Sequence, residues 1–329
     1  MNFEFFFNNL PELTVGGLAF GAIYALIALG YTMVYGVLQL INFAHSEVFM
    51  YGTFAMLWTV IALGGNDASG MKLIGILLAS LVAAMAMSAV IALVLERVAY
   101  RSLIKREAPR LIALISAIGA SFVLAELMGL RDRVAGWVGL DDDLSEYVGK
   151  ARINNSIAGV VEAPRWNVAG VSVSSIDVIV VVSAIAMMVV VDQFVRRSKL
   201  GKGIRATAQD PETASMMGVN PTRTIQMTFL IGGLMAGVAA FLYMLKIETT
   251  KFDVGFLLGV KAFTAAVLGG IGNLRGALVG GLLLGVVEVY ASQIWDSSWT
   301  DVTAFIVLVL VLMFRPTGLL GESLGKARA

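Results

Sequence analysis

Uncharged apolar runs of about twenty residues recur along the whole chain, and this feature restricts the fold more than any other. A bilayer core of roughly 30 Å is crossed by about 20 apolar residues in helical form, because a helix satisfies its own backbone polar groups where water is absent. Such runs occupy residues 13–38, 48–63, 73–95, 111–130, 173–191, 225–245, 277–289 and 302–314. A ninth stretch, 256–271, is short and glycine-rich and carries Lys261, so it reads either as a full span or as a broken, re-entrant one. The expected fold is all-α: a polytopic transmembrane helical bundle of eight to nine spans, forming a single domain over residues 1–329. Composition agrees, since 58% of the residues are hydrophobic and only 14% charged, whereas soluble chains carry roughly 25% charged residues.

The same composition excludes several chemistries. With no cysteine and one histidine, the chain has no disulfide framework, no thiol nucleophile and no multi-histidine metal site. A net charge of +1 lacks the clustered positive excess that nucleic-acid phosphates attract. The first residues carry Glu4 and Glu12 but no Lys or Arg, unlike the positive start of a secretory signal, so no cleavage is expected.

Lys and Arg in short loops stay on the cytoplasmic side. One such loop holds Arg97, Arg101, Lys105, Arg106 and Arg110, and a second holds Arg196, Arg197, Lys199, Lys202, Arg205 and Arg223. Two spans separate them, the parity that a shared side requires. The connection 131–172 mixes both signs, including Asp141, Asp142, Asp143 and Glu146, and falls outside, where a solvated face is its simplest role. Counting back places the N-terminus outside. The tail with Arg315, Lys326 and Arg328 lies inside if the ninth stretch crosses fully.

Helices in lipid approach closely where small residues face one another. Gly17 and Gly21, Gly233 and Gly237, Gly255 and Gly259, Gly276 and Gly280, and Gly281 and Gly285 stand four apart and are expected at such seams. The run from Leu268 through Gly269, Gly270, Ile271 and Gly272 to Asn273 would break a helix, either as a cytoplasmic turn or as irregular backbone lining a path. Between the first two spans, Asn42, His45, Ser46 and Glu47 form a polar cluster; His45 reads as a hydrogen-bonded structural residue or as a ligand. Glu47, Glu126, Lys261 and Glu288 lie in or beside apolar runs, where charge is costly and usually faces a bundle interior. Glu47 and Glu288 are close enough to span ends to snorkel. The candidate translocation-path residues are thus Asn42, His45, Glu47, Glu126, Lys261, Thr264, Gly269 and Gly270.

Within the basic loop 196–224, Asp210 suits an N-cap, Pro211 the first helical position, Glu212 the positive helix end and Gly218 the left-handed residue that stops a helix. A helix of about two turns is predicted, with Ala214, Met216 and Met217 as an apolar surface. It is expected either to plug a partner's groove or to lie along the membrane surface. The chain holds no phosphate-binding loop, because the Gly-Lys pairs at Gly149, Gly201 and Gly325 are followed by Ala151, Gly203 and Ala327. Any nucleotide hydrolysis therefore belongs to another subunit. There is no Gly-x-Ser-x-Gly elbow either.

The run Gly21-Ala22-Ile23-Tyr24-Ala25-Leu26-Ile27-Ala28-Leu29-Gly30-Tyr31-Thr32-Met33-Val34-Tyr35-Gly36, followed by Ile41-Asn42-Phe43-Ala44-His45, resembles the N-terminal signature of bacterial branched-chain amino-acid ABC-transporter permeases of the LivH type. The loop from Arg205 to Asn220, the segment from Lys261 to Gly272 and the ending Arg315-Pro316-Thr317-Gly318-Leu319-Leu320-Gly321 are similar to that family in the expected order. The resemblance implies a non-enzymatic importer subunit of the bacterial inner membrane, carrying leucine, isoleucine or valine. It implies a second homologous permease, two ATPase subunits that hold ATP and Mg, and an extracytoplasmic substrate-binding protein. No cofactor is implied for this chain itself. The resemblance also implies that Arg205, Ala206, Ala208, Asp210, Pro211, Glu212, Ala214, Met217 and Gly218 couple to the ATPase. Ser46 departs from the family's usual glycine, which matters only if that position needs a positive φ. Related permeases for urea or short-chain amides share much of the signature. An ion-coupled secondary carrier would instead need several ionisable groups deep in its spans, and an intramembrane enzyme would need a nucleophile and base there.

Overall fold

The computed structural model describes residues 3–65, 68–106, 108–139, 147, 151–157, 159–161, 163–168 and 170–321. The acidic run at Asp141 to Asp143, Glu146 and the terminal Lys326 and Arg328 lie outside the described residues. The apolar runs are helices. In chain order they are α1 (Phe3–Asn8), α2 (Leu10–Leu38), α3 (His45–Ala62), α4 (Gly70–Leu95, prolonged through a π-turn at Glu96–Tyr100 and a last turn at Arg101–Lys105), α5 (Arg110–Gly129) and α6 (Arg131–Val138). There follow α7 (Ser175–Arg197), α8 (Lys199–Gln209), α9 (Pro211–Met216), α10 (Pro221–Ile247), α11 (Val254–Gly269), α12 (Leu274–Ile294) and α13 (Thr300–Phe314). Among the described residues strands are confined to short pairs: β1 (Asn155–Ser156) with β4 (Thr249–Thr250), and β2 (Arg165–Val168) with β3 (Val171–Ser174), both antiparallel. Among the described residues six helices are long and apolar enough to cross a membrane, and α11 and α13 are shorter apolar helices. The whole is a polytopic helical membrane fold.

By its internal contacts the chain divides into two compact units, one comprising residues 1–39, 163–224 and 260–329, the other residues 40–162 and 225–259. In the first, α2 and α12 cross where glycine meets glycine. A methyl group on Gly21 would sit 2.5 Å from the Gly281 carbonyl oxygen, and one on Gly285 would press on the Gly21 nitrogen. Since apolar surface gains nothing by leaving lipid for another helix, this backbone-to-backbone approach and its dispersion contacts hold the pair. The seam between α11 and α12 follows the same rule, with Gly280 facing the Ala265 carbonyl and Gly269 facing Gly276.

The glycine-rich run 269–272 is a tight turn between two continuous helices. Gly270 takes φ 105°, a region open to glycine, and Asn273 caps α12 by accepting from the Arg275 and Gly276 amides at 3.0 and 3.2 Å. The carbonyls that end α11 are satisfied by the tail: Leu319 and Leu320 donate to Leu268 and Gly269 at 2.8 and 3.0 Å. The Asn273 amide then donates to Leu320 at 2.7 Å. Residues 315–321 are thereby tied to the turn, and the helix end keeps no orphan carbonyl at these two positions.

In the second unit α4 packs on α10, where methyl groups on Gly233 and Gly237 would press on Ala92 and on the Met85 backbone. The α3 helix lies beside α4, and the Ser88 hydroxyl donates to the Val48 carbonyl at 2.9 Å. Tyr100 and Phe229, both nearly fully buried, pack with ring centroids 5.3 Å apart and their planes tilted by 54°.

Candidate transport site and coupling surface

In the first unit, three ionisable side chains from three helices converge. The Lys261 ammonium on α11 lies 2.5 Å from Glu288 on α12 and 2.7 Å from Asp301 at the start of α13, with the Tyr24 ring 5.9 Å away. The buried Glu288 balances the ammonium charge, which would be costly alone in an apolar bundle, while the half-exposed Asp301 can keep its own charge solvated. Sequence flagged Lys261 and Glu288 separately; Asp301 escaped notice because it opens a span, where an acid is unremarkable as a helix-start residue. Thr264, one turn further along α11, is buried and donates to the Val260 carbonyl at 2.9 Å.

The polar cluster of the second unit is buried as a group: Asn42, His45, Ser46 and Glu47 are all nearly inaccessible. Tyr100 donates to Asn42 Oδ1 at 2.9 Å. Ser46 sits inside α3 and is absent from the few non-glycine residues with positive φ, so serine costs the backbone nothing there. Its hydroxyl donates to the Phe43 carbonyl at 2.9 Å. Glu126 has different surroundings: in the last turn of α5, its side chain is half exposed and paired with the similarly exposed Arg152.

The loop 196–224 forms two consecutive helices in the first unit. Ser198 caps α8 by accepting from the Gly201 amide at 2.8 Å. The helix buries Gly201, Ile204 and Thr207 and exposes Arg205. Asp210 caps α9, accepting from the Glu212 and Thr213 amides at 3.0 and 3.2 Å and from the Thr213 hydroxyl. The Thr213 hydroxyl and amide hold this carboxyl below the ordinary aspartate range. Gly218 ends the motif at φ 84°, with the next amide, Val219, returning to the Ala214 carbonyl at 3.0 Å.

One detail of the expected apolar surface differs. Ala214 is 4% exposed and turned inward, while Met216 and Met217 are 83% and 81% exposed. The short helix uses its alanine as an anchor and presents two adjacent methionines.

Among the described residues no group of three or more His, Cys, Asp or Glu side chains is arranged to hold a metal. The family model described as "Branched-chain amino acid transport system / permease component" matches residues 13–312. The chain is 40% identical over 318 residues, covering 96% of it and 97% of the relative, to the high-affinity branched-chain amino acid transport system permease protein BraD of Pseudomonas aeruginosa. To the high-affinity branched-chain amino acid transport system permease protein LivH of Escherichia coli K12 it is 38% identical, covering 93% and 94% of the two chains. A more distant similarity, 24% over 321 residues, links it to a probable branched-chain amino acid transport permease protein LivH of Methanocaldococcus jannaschii. With matches that run through nearly all the spans in one register, this chain belongs to the branched-chain amino acid transport system permease family.

Proposed function

We propose that this chain is the membrane-spanning permease subunit of an ATP-binding-cassette importer that carries branched-chain amino acids across a bacterial inner membrane. The observation that carries the reading is similarity over more than nine-tenths of the chain to permeases named for that cargo. The importer would comprise a second permease, two ATPase subunits with ATP and Mg, and an extracytoplasmic binding protein. The absence of a phosphate-binding loop from the sequence supports hydrolysis on partner subunits.

In this reading α8 and α9 are the coupling element. Met216 and Met217 are flexible, polarisable side chains suited to an apolar groove, and Arg205, Ala206, Ala208, Asp210, Pro211, Glu212 and Gly218 shape and cap the helices that display them. Ala214 fastens α9 to its own chain. Of the residues assigned to the path, Asn42, His45, Glu47 and Glu126 belong to the second unit and Lys261, Thr264, Gly269 and Gly270 to the first.

The test is affinity purification of the tagged chain from native membranes, followed by reconstitution of the assembly with its binding protein in liposomes. ATP-dependent uptake of leucine, isoleucine or valine is expected. Uptake without ATP by the chain alone would replace this reading with an ion-coupled carrier, and competition by urea but not by leucine would move the cargo to small amides.

A further inference from the structure

We propose that Glu47, buried in the second unit, receives the ammonium group of the amino acid in transit; this rests on the importer reading above. Its neighbours place it against the middles of two long helices. It occupies the first turn of α3, whose neighbouring Val48 carbonyl is bound by Ser88, near the middle of the 35-residue helical run Gly70–Ile104. Its Oε1 accepts from Ser121 at 3.1 Å, midway along α5. Six residues later in α3, Thr53 lies 2.6 Å from Thr250 of the β4 strand.

There the side chain is 1% exposed and its Oε2 has no hydrogen-bond partner. Among the described residues no cation pairs with it. The nearest other acid acting on it is Asp253, and that carboxylate already has Lys251 at 3.1 Å. A buried carboxylate with one oxygen unmatched is costly unless it takes a proton or a cation arrives. The Gly255 backbone packs against this corner: a methyl group there would lie 2.8 Å from Oε2 and 2.6 Å from the Ser46 carbonyl, so only glycine leaves the carboxylate its present position. Five residues before Glu47, the Asn42 Nδ2 is buried without an acceptor. The second unit thus buries an acceptor without a donor at Glu47 and a donor without an acceptor at Asn42, and the unmatched carboxylate oxygen is the complement of an ammonium.

The reconstituted importer separates this idea from the reading on which it rests. Should the wild-type assembly fail to take up leucine, the importer reading fails first. With wild-type uptake established, Glu47→Gln, which keeps size and loses charge, is expected to cut the leucine uptake rate at least tenfold at saturating binding protein, with Glu47→Asp recovering part of it. Equal uptake by Glu47→Gln and wild type overturns the proposal, since a merely protonated structural carboxyl is well mimicked by an amide. Wild-type uptake that stops when sodium is replaced by choline also overturns it, by assigning the site to an inorganic cation. If Glu47→Gln does not assemble with its partner subunits, Ser121→Ala carries the test. Removing the hydroxyl that orients the carboxylate is expected to lower uptake two- to fivefold, and unchanged uptake refutes the assignment.

Discussion

Lys261 shows what a single side chain can cost and offset inside lipid. Its ammonium holds Glu288 and Asp301 together, so Lys261→Met leaves Glu288 buried without its cation. Breaking such a pair from one side destabilises by about 3–5 kcal/mol. We expect a clear fall in the thermal unfolding midpoint of the detergent-solubilised protein. The double change Lys261→Met with Glu288→Leu should recover most of it, because an apolar pair of similar volume carries no desolvation cost; a double-variant loss equal to the sum of the two single losses would show that the two residues do not interact. The charges themselves were legible in the sequence, since acids and lysines in apolar runs stand out. Their pairing was not, because Lys261, Glu288 and Asp301 come from three helices and only packing decides which faces meet.

At the scale of the element, cap chemistry was legible because it is local. Asp210, Pro211 and Gly218 lie within nine residues, and the cap, first-turn proline and left-handed stop occur where residue type alone predicts them. The preceding α8 went unforeseen, its glycines Gly201 and Gly203 masking a helix that Ser198 caps. Asp210→Ala is expected to fray α9, read as faster amide hydrogen exchange at Glu212 and Thr213, while Asp210→Asn retains most protection. Because the folded carboxyl lies below the ordinary aspartate value of 3.8, the cap's contribution is complete above that value and is lost as pH falls through the lower folded one. Exchange protection in α9 should therefore be flat above about pH 4 and decline below it.

Glycines divide by packing in the same way. A methyl group on Gly16 would have nothing within 4 Å, while one on Gly21 would face backbone at 2.5 Å. Gly16→Ala is expected to be neutral or to stabilise by up to about 1 kcal/mol through helix propensity. Gly21→Ala must push α2 from α12 and cost about 1–3 kcal/mol. Equal unfolding midpoints for the two variants would disprove the seam.

For the molecule as a whole, loop charge and a count of nine crossings lead to the expectation that the N-terminus and the 131–172 connection lie outside and α8, α9 and the tail inside. The chain has no cysteine, so single introduced thiols report this directly. A membrane-impermeant maleimide is expected to label Ser172→Cys but not Met216→Cys in intact cells, and both after permeabilisation; the reverse pattern inverts the topology. Met216→Glu with Met217→Glu should leave insertion intact and reduce ATP-driven uptake at least tenfold if these methionines fill an apolar groove on the ATPase. The apolar spans, their expected sidedness and the capped helix came from the sequence by itself, because hydropathy, loop charge and capping act over distances of a few residues. Tertiary structure alone decided that Ala214 turns inward while its methionine neighbours face out. It also decided that the tail closes the end of α11, that one lysine serves two acids, and that Glu47 is buried with one oxygen unmatched. Each of those depends on residues far apart in the chain, whose meeting is set by how helix faces pack.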